Sequence, residues 1–459
     1  MNQNGLYKPS DLFAVARDEA EVDDLTNNDI YKFLMLDFAL ANPQYHWYNV
    51  KWNMTIRSKD VKTAEIIPYE ALNEQLKATQ SIQGISEAKI TYFQWMTKKD
   101  GSPQFRKETL EFLRTFRLPD YKVDRVDGNY NIEFMGSTET ATMREIFWLK
   151  IINSLYLYHY IKKEKLSRSE FNSIINETIH RLYQDIKIFK TAPGVMFSEF
   201  WTRRAASTDI QRMVFQILSE MIPNQCIGTS NVMLSSEAWN NNPKGTNAHQ
   251  LRMEQTALYD DPQDIINAMY AVDRDRWKHF PGLGILLPDT FGTTFYLNNC
   301  PEDIAMGHDG NRFDSKDPMI SIPEYMKFLE KYGLDPRDKM GIPSDGLDAQ
   351  KDVDIYNAFG KKIKLSFGNG THLTNNTKGT WPRDTEARGP FWSFSVVIKP
   401  SAVQRPDGTR VPAVKLSDNF AKATEGKVPG YIAPWGWSRL EYFKKIFGTE
   451  WMTTTQTVV

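Results

Sequence analysis

The sequence predicts an α/β fold in which a mixed α/β region is followed by a closed or nearly closed β/α barrel. The first observation is that short apolar runs alternate with amphipathic helical segments from about residue 138 onwards. Such alternation is typical of parallel strands joined by crossover helices. The second observation is length, because a chain of 459 residues can bury one large domain and a smaller one. A doubly wound open sheet is the alternative, and the pattern alone leaves it open.

The N-terminal part begins with an acidic, loop-like stretch over residues 1–25. Residues 26–29 then offer N-cap side chains for a helix that spans 30–41 and ends before Pro43. Alternating apolar residues predict three strands in this part, at 47–57, 90–96 and 130–135.

In the barrel part, Thr142 with Glu145 and Ser167 with Glu170 form two capping boxes that predict the starts of long helices. Apolar runs predict buried strands at 194–197, 226–231, 284–287, 304–307 and 363–367. Amphipathic segments predict helices at 209–222, 248–258, 262–280, 322–332 and 348–359. The tail has predicted strands at 393–399 and 411–416 around the turn 406–408, and a predicted helix at 437–447.

Composition and charge exclude several classes of partner. The net charge is −1, so no global field favours nucleic acid or an anionic membrane surface. Two cysteines give neither a disulfide framework nor zinc-ligand spacing, which fits a reducing compartment. The N-terminus lacks a signal-peptide apolar region, and the most apolar stretch, 146–160, is interrupted by Lys150 and Asn153. We therefore expect a cytoplasmic protein that binds neither nucleic acid nor membrane.

Polar residues cluster just after the predicted barrel strands, where a β/α barrel carries its site. The clusters contain an aromatic ring, arginines, carboxylates and glycine-rich turns, which suits a ligand with a flat ring, a phosphate and a magnesium-bound polyphosphate. They lie at 200–204, 228–231, 244–249, 288–290, 310–318 and 367–371.

Each of these residues also has a purely structural interpretation. Phe200 could be core, Arg203 could be solvated, and Asp289 or Asp314 could cap a helix or shape a turn. His249 could simply begin the helix that follows it, and the other six histidines show no metal-ligand spacing. Their placement after successive strands favours a shared site more than any single residue does.

Eight motifs, taken in chain order, resemble those of the nicotinate phosphoribosyltransferase family, in the nicotinate/nicotinamide branch of the type II phosphoribosyltransferases. They are found at 28–32, 200–204, 228–231, 245–249, 312–318, 345–348, 368–371 and 415–417. The resemblance implies an irregular β/α barrel over 138–390. It further implies a mixed domain built from 1–137 and a C-terminal segment, 391–459, that returns to it. It also implies a homodimer with its active sites at the subunit interface.

The resemblance implies roles for the residues that carry the pyridine base. Tyr31 of one subunit and Phe200 of the other would stack on the ring. The base would be held by Thr246 and Arg312, with Thr229 and Ser230 beside them. Because Ser230 is neutral where the nicotinamide branch has an acidic residue, we expect nicotinate as the substrate.

For the other substrate, 5-phosphoribosyl 1-pyrophosphate, the resemblance implies that Arg203 faces the pyrophosphate and that backbone N–H groups of Gly346, Gly370 and Thr371 face the 5-phosphate. Asp289 and Asp314 would hold ribose hydroxyls or Mg²⁺, and ATP, as co-substrate, would phosphorylate His249. The expected product is nicotinate mononucleotide, a precursor of NAD.

Three residues depart from the family pattern: Trp201 and Lys316 stand where glycines are expected, and Gln250 stands where a glutamate often follows the histidine. These departures leave two alternatives to a catalytic transferase. One is a barrel glycosidase with Asp289 and Asp314 as its carboxylate pair. The other is a non-catalytic paralogue that binds a nucleotide or phosphoribosyl pyrophosphate.

Overall fold

The computed structural model describes residues 6–45, 49–238, 243–377, 379–380 and 394–448. The helices of these ranges are α1 Pro9–Leu12, α2 Ile30–Ala41, α3 Thr63–Ile66, α4 Tyr69–Gln80, α5 Glu87–Trp95, α6 Lys107–Arg114, α7 Thr138–Lys163, α8 Arg168–Lys190, α9 Thr208–Met221, α10 Val232–Glu237, α11 Gln250–Thr256, α12 Pro262–His279, α13 Thr293–Asn298, α14 Glu302–Gly307, α15 Pro318–Lys331, α16 Ala349–Phe359, α17 Thr371–Asn375 and α18 Arg439–Phe447. The strands are β1 Val50–Ile56, β2 Tyr121–Val126, β3 Asn129–Gly136, β4 Phe197–Glu199, β5 Cys226–Thr229, β6 Ile285–Leu286, β7 Gly310–Phe313, β8 Met340–Pro343, β9 Lys364–Leu365, β10 Phe367–Asn369, β11 Val396–Gln404, β12 Arg410–Pro412, β13 Val414–Lys415 and β14 Thr424–Glu425.

The N- and C-terminal parts of the chain share one antiparallel sheet, in the strand order β12-β11-β1-β3-β2. Strand β1 pairs with the C-terminal β11 along its whole length, from Val50 opposite Val403 to Ile56 opposite Val396. Alternate residues of β1 are buried, which is why this stretch forms a half-buried strand. The mixed region thus draws strands from both ends of the chain.

The central strands are parallel, as the alternating pattern predicted, and form two sheets, β10-β4-β5 and β6-β7-β8-β9. Only Ser366 separates β9 from β10, so the two sheets follow each other closely along the chain. The open side between β5 and β6 is bridged by a loop: Lys244 N–H donates to Thr229 O at 2.8 Å, and Asn247 Nδ2 donates to Ile285 O at 3.0 Å. Among the described strands, no pairing joins β5 directly to β6.

Two predicted strands are helices. The stretch 90–96 lies mostly in α5, which Ser86 caps by accepting from Lys89 N–H, and the stretch 304–307 lies in α14. Short apolar runs suit a helix and a strand equally well, so local pattern cannot separate them. The strand of that second region is β7, a few residues later, and β8, which contains Gly341 and Pro343, was not predicted.

The capping box at Thr142 was also wrong, because α7 begins four residues earlier, after Ser137, whereas the box at Ser167 is confirmed. Helix α7 is buried along most of its length and packs into both large apolar clusters of the described residues. Trp148 belongs to the cluster of the mixed region, and Leu157 to that of the parallel sheets. No helix of the described residues is long and apolar enough to cross a membrane. Residues 390 and 391, where the third segment was predicted to begin, lie outside the described residues.

Candidate active site

His249 lies at the centre of a charged cluster to which segments from different parts of the chain contribute. It directly precedes α11, while Asp289 follows β6, Asp314 follows β7 and Lys415 belongs to β13. His249 Nε2 is 3.1 Å from Asp314 Oδ2 and 2.9 Å from Lys415 Nζ, and its Nδ1 is 3.0 Å from Thr290 Oγ1. Asp289 Oδ1 lies 3.8 Å from the same Nδ1. The three residues predicted to be catalytic, His249, Asp289 and Asp314, therefore lie together, with both aspartates beside the His249 ring.

The His249 ring is neutral near pH 7. Burial lowers its pKa to about 4, and the Lys415 ammonium adds to this, whereas the two neighbouring carboxylates act against it. A neutral imidazole keeps a lone pair on one ring nitrogen, as a nucleophile requires.

Both aspartates of the cluster are held in their charged form. Burial alone would raise the pKa of Asp314, but the Arg312 guanidinium and the contact with His249 keep it well below its ordinary value. Burial would also raise the pKa of Asp289, and here His249 and Lys415 together lower it. Two anions can sit close together at this point because cations surround them.

Arg312 fixes the orientation of Asp314. Its Nη2 donates to Asp314 Oδ1 at 2.6 Å and its Nε donates to Ser344 Oγ at 2.8 Å. The Ser344 hydroxyl in turn donates to the same carboxylate oxygen of Asp314 at 2.9 Å. Arg312 thus reaches the cluster, but the edge of its guanidinium that carries Nε and Nη2 donates to Ser344 and Asp314 and is not available to a ligand.

The cluster has the donor set that a hard cation needs. Ligand atoms of His249, Asp289 and Asp314 all lie within 4.8 Å of one another. Asp289 Oδ1 is buried and accepts no hydrogen bond from the described residues, so its lone pairs are available. Carboxylate oxygens of this kind suit Mg²⁺, which is usually bound through one or two carboxylates together with substrate phosphates.

Tyr31, Phe200 and Arg203 border the same region. Tyr31 lies against Gly245, where an added Cβ would be 3.4 Å from the Tyr31 Cβ, and Phe200 packs so closely on Gly368 that an added Cβ would meet its ring at 2.6 Å. No ring contact joins Tyr31 to Phe200 within the described ranges, and no hydrogen bond there involves the Arg203 guanidinium. In the described residues the Tyr31 ring thus has Lys32 Nζ at 5.2 Å from its centroid, and the Phe200 ring packs on Gly368.

The expectation that Tyr31 reaches into a partner subunit stays a prediction. The Tyr31 segment is tied to this chain's own β5 loop, because Ile30 N–H donates to Ser230 O at 2.8 Å and Val232 N–H donates to Asn28 O at 2.9 Å. The charges of Arg203 and Arg312 act on the Tyr31 hydroxyl, which places it beside this chain's own site.

Thr229 and Ser230 are brought to the site by β5, but their hydroxyls have protein partners. The Thr229 hydroxyl is fully buried and donates to Glu199, which faces away from the His249 cluster. The Ser230 hydroxyl donates to Asp29 Oδ1 at 2.7 Å. The prediction of a neutral site at Ser230 was incomplete, because a carboxylate from the N-terminal segment lies next to it.

The predicted phosphate side is built by the loops after β8 and β10. Gly346 has a φ of +63° and open space where a side chain would stand, whereas a Cβ added at Gly370 would lie 3.8 Å from the Phe200 carbonyl oxygen. Thr371 Oγ1 accepts from Arg204 Nη1 at 3.2 Å. Thr246 lies in the bridging loop and its carbonyl accepts from Arg276 at 2.7 Å. The structure thus places these residues on open or loop surfaces around the cluster.

The three departures from the family pattern leave the cluster open. The Trp201 side chain is fully buried in the apolar core, so its bulk does not enter the site. Lys316 is paired with Glu324 at 2.5 Å and donates to Thr294 at 3.0 Å. Gln250 is buried and accepts from Thr142 at 2.7 Å, away from the His249 ring.

Sequence reasoning missed several cations of the site. Lys415 was quoted only as part of a motif, yet it contacts both His249 and Asp289. Lys399 of β11 lies near the Lys415 and Arg57 charges, and burial together with these cations holds its pKa well below the usual value. A lysine at a half-buried position of an alternating strand was the signal that could have identified Lys399.

The family comparison now decides the identity. Residues 195–429, more than half of the chain, match the model of the nicotinate phosphoribosyltransferase (NAPRTase) family. The chain belongs to this family. The matched region contains His249, Asp289, Asp314 and Lys415, and thus the whole charged cluster.

Solved structures of nicotinate phosphoribosyltransferases share the fold. The structure from Vibrio cholerae has 23% sequence identity and a TM-score of 0.78, covering 96% of this chain and 96% of that one. The structure from Porphyromonas gingivalis has 22% identity and a TM-score of 0.76, covering 93% and 100%. A putative nicotinate phosphoribosyltransferase from Saccharomyces cerevisiae has 21% identity and a TM-score of 0.72, covering 94% and 99%. The predicted mixed α/β class is confirmed, and the closed barrel stays a prediction because the described parallel strands form two sheets.

Proposed function

We propose that this member of the family transfers the phosphoribosyl group of 5-phosphoribosyl 1-pyrophosphate to nicotinate, forming nicotinate mononucleotide and pyrophosphate in NAD biosynthesis. The observation that carries the proposal is the His249 cluster, in which a neutral imidazole is surrounded by two charged aspartates, Lys415 and Arg312. Family membership supports the same activity.

The charges of the cluster suit the transfer step. As the pyridine nitrogen replaces pyrophosphate at the ribose, the C–O bond to pyrophosphate breaks before the new C–N bond is complete, and positive charge builds on the sugar. Asp289 and Asp314, held in the charged form, would stabilise that charge. Arg203 and Lys415 would hold the departing anion, and Mg²⁺ bound at Asp289 and Asp314 would neutralise it further.

We further propose that ATP phosphorylates His249. The unprotonated ring nitrogen attacks the γ-phosphorus of ATP, the bond to the β-phosphate oxygen breaks, and ADP leaves with the electron pair. The low pKa of His249 keeps the nucleophile available at neutral pH. Lys415, already 2.9 Å from Nε2, would balance the added negative charge.

A second candidate substrate is nicotinamide, favoured by the Asp29 carboxylate at 2.7 Å from the Ser230 hydroxyl. A carboxylate at the base pocket repels the carboxylate of nicotinate and accepts a hydrogen bond from an amide. Arg203 and Arg312 oppose this preference, since both offer positive charge to the same region. We propose nicotinate because two guanidinium groups, of Arg203 and Arg312, would attract its carboxylate, whereas one carboxylate, of Asp29, would repel it.

The homodimer stays a proposal as well, although Tyr31 lies beside its own chain's Arg203 and Arg312. Light scattering coupled to gel filtration tests it, with about twice the chain mass of 53.1 kDa expected. A monomeric mass in an active preparation would contradict it.

The test of the function measures product formation with phosphoribosyl pyrophosphate, Mg²⁺ and either base, with and without ATP. We expect nicotinate mononucleotide, formed faster with ATP, and acid-labile incorporation of radioactive γ-phosphate into the wild-type protein. His249→Ala should lose both the ATP stimulation and the label. The matched control His180→Ala, at an exposed position of α8, should keep them.

Three outcomes would contradict parts of the proposal. Product from nicotinamide alone would reverse the choice of base. Label retained in His249→Ala would move the phosphorylation elsewhere. No product from either base in a protein that still binds phosphoribosyl pyrophosphate would identify a non-catalytic paralogue.

A further inference from the structure

A closed ring of buried hydrogen bonds lies behind the base pocket, outside the charged cluster. Its six members are each at most 1% exposed. They come from five segments that are distant in the sequence, namely the N-terminal segment before α2, helix α7, the end of β4, helix α9 and the end of β5. The members are Asn27, Lys150, Glu199, Gln211, Thr229 and Asn231.

One half of the ring runs through the lysine. Lys150 Nζ donates to Asn27 Oδ1 at 2.8 Å and to Gln211 Oε1 at 3.1 Å. Gln211 Nε2 then donates to Glu199 Oε1 at 2.8 Å. A buried ammonium thus joins the N-terminal segment to the end of β4.

The other half runs through β5. Asn231 Nδ2 donates to Asn27 Oδ1 at 2.9 Å, and Asn231 N–H donates to Thr229 Oγ1 at 3.1 Å. The Thr229 hydroxyl closes the ring by donating to Glu199 Oε2. The ring as a whole therefore joins the segments that carry Tyr31, Phe200 and Ser230 through buried groups.

Glu199 is the member with the most direct links to substrate-facing residues. It immediately precedes Phe200, and its Oε1 accepts from Trp201 N–H at 2.6 Å, which fixes the start of the loop that carries Arg203. Its carbonyl accepts from Ser230 N–H at 2.8 Å, which fixes the second loop.

A carboxylate is the group that satisfies this position. Three donors converge on its side chain, from Trp201, Gln211 and Thr229, and a carboxylate is acceptor-only. A glutamine would present an NH₂ group to Thr229, whose oxygen already accepts from Asn231 N–H. The Thr229 proton would then lose its acceptor inside a dry site, which is unfavourable.

We propose that Glu199 is the positioning residue of the base pocket, and that through the ring it holds the segments of Tyr31, Arg203 and Ser230 in one arrangement. This inference rests on the proposed function, since that function assigns the segments of Tyr31 and Ser230 to the pyridine base and the segment of Arg203 to the neighbouring pyrophosphate. Of the residues predicted to face substrate, the Glu199 side chain contacts Thr229, whose hydroxyl donates to it. Glu199 therefore acts through Thr229 and through the backbone of the β4 loop.

The test compares Glu199→Gln with Glu21→Gln in steady-state kinetics. Glu21 is a matched control because it is also a buried carboxyl that accepts from hydroxyls, of Ser154 and Thr208. It borders the ring through its backbone carbonyl, which accepts from Asn27 Nδ2, and through the charge of Lys150, but its side chain forms none of the ring's hydrogen bonds. For Glu199→Gln we expect KM for the pyridine base to rise about tenfold or more. KM for phosphoribosyl pyrophosphate should rise as well, because Arg203, which is proposed to hold the pyrophosphate, lies in one of the loops that Glu199 fixes. Glu21→Gln should keep both values near wild type, and thermal unfolding curves establish that both variants are folded.

A crystal structure of each variant separates this inference from the proposed function. If the wild type turns over neither base, the proposed function fails, but the ring is still tested by whether the loops of Arg203 and Ser230 move apart in Glu199→Gln and stay in place in Glu21→Gln. Unchanged loops and an unchanged KM for the base in Glu199→Gln would overturn the inference. An equal rise in that KM in both variants would also overturn it, because it would reflect general loss of stability.

Discussion

Asp314 and Glu199 occupy comparable positions, one just after β7 and the other at the end of β4, yet their surroundings differ in charge. The partners of Asp314 are a guanidinium, an imidazole and a nearby ammonium, and its pKa is well below the usual value. The side-chain hydrogen bonds of Glu199 come from a hydroxyl, a backbone N–H and an amide, and burial raises its pKa to about 7.

The difference separates two kinds of buried carboxyl in one site. The cations around Asp314 keep its carboxylate charged. The carboxylate can then stabilise a cationic transition state, and the cations can bind a polyphosphate. Neutral donors around Glu199 fix geometry without supplying a charge to the ligand. Removing the first should affect the chemical step, whereas removing the second should affect binding of the base and the pH dependence of stability.

The largest effect is expected for Asp314→Asn. Losing one fixed charge at the developing sugar cation should lower kcat/KM by roughly 10³-fold, with Arg312 and His249 losing a partner as well. Product formation with saturating phosphoribosyl pyrophosphate measures it. Asp335→Asn removes the same charge at the surface and should leave the rate near wild type. If kcat/KM of Asp314→Asn stays within tenfold of wild type, the charge of Asp314 does not serve the chemical step, and the proposed difference between Asp314 and Glu199 is wrong.

Next comes the pH dependence of stability at Glu199. Its folded pKa of about 7 lies above the ordinary 4.5, so the folded state keeps a proton that the unfolded chain has released between these values. The stability that this group contributes is complete below pH 4.5 and lost as the pH rises through 7. Glutamine does not titrate, so the free energy of unfolding of Glu199→Gln relative to wild type should rise by about 3 kcal/mol over that interval.

Urea unfolding of both proteins at several pH values measures this rise. Asp314→Asn provides the contrast, because a carboxyl with a lowered pKa contributes stability above its ordinary pKa of 3.8 and loses it as the pH falls. Parallel pH curves for wild type and Glu199→Gln would show that Glu199 is charged throughout.

The two carboxyls also differ in how far sequence could identify them. Asp314 was identified because it lies in a motif after an apolar run, and parallel strands bring such positions together. Glu199 was not identified, because its partners Gln211 and Thr229, and Lys150 which donates to Gln211, are ordinary polar residues with no regular spacing in the sequence. The Asp29–Ser230 contact was missed for the same reason, since 201 positions separate the two residues.

The prediction of strands from the sequence failed where a short apolar run suits a helix and a strand equally well. The apolar run 304–307 is too short for its pattern to separate a helix from a strand. Strand β8 was not predicted because its glycine and proline interrupt the apolar pattern. Trp201 stands where the family pattern has a glycine, and its side chain lies in the apolar core, whereas the neighbouring Phe200 ring packs on Gly368. Side-chain direction at such a strand end is set by tertiary packing that local sequence does not encode.

A moderate effect is expected for Asp29→Asn, which tests whether the base pocket behaves as a charged or a neutral site. Removing the carboxylate next to Ser230 should raise the ratio of kcat/KM for nicotinate to that for nicotinamide by about tenfold, because repulsion of the nicotinate carboxylate disappears. Asp24→Asn, which removes a carboxylate of the same N-terminal segment that bonds Thr26, should leave the ratio unchanged. An unchanged ratio in Asp29→Asn would mean that Arg203 and Arg312 alone set the choice of base.

The smallest effect is expected for Lys316→Gly, which restores the residue that the family pattern has at this position. The Lys316 ammonium is held by Glu324 and Thr294, so it supplies little charge to the Asp314 side of the site. We expect less than about a threefold change in KM for phosphoribosyl pyrophosphate, as befits a partly exposed ion pair. Glu324→Gln frees the ammonium and provides the reverse test, in which KM should fall if the released Lys316 reaches the polyphosphate. A tenfold rise in KM in Lys316→Gly would instead make Lys316 one of the cations that distinguish the Asp314 cluster from the neutral surroundings of Glu199.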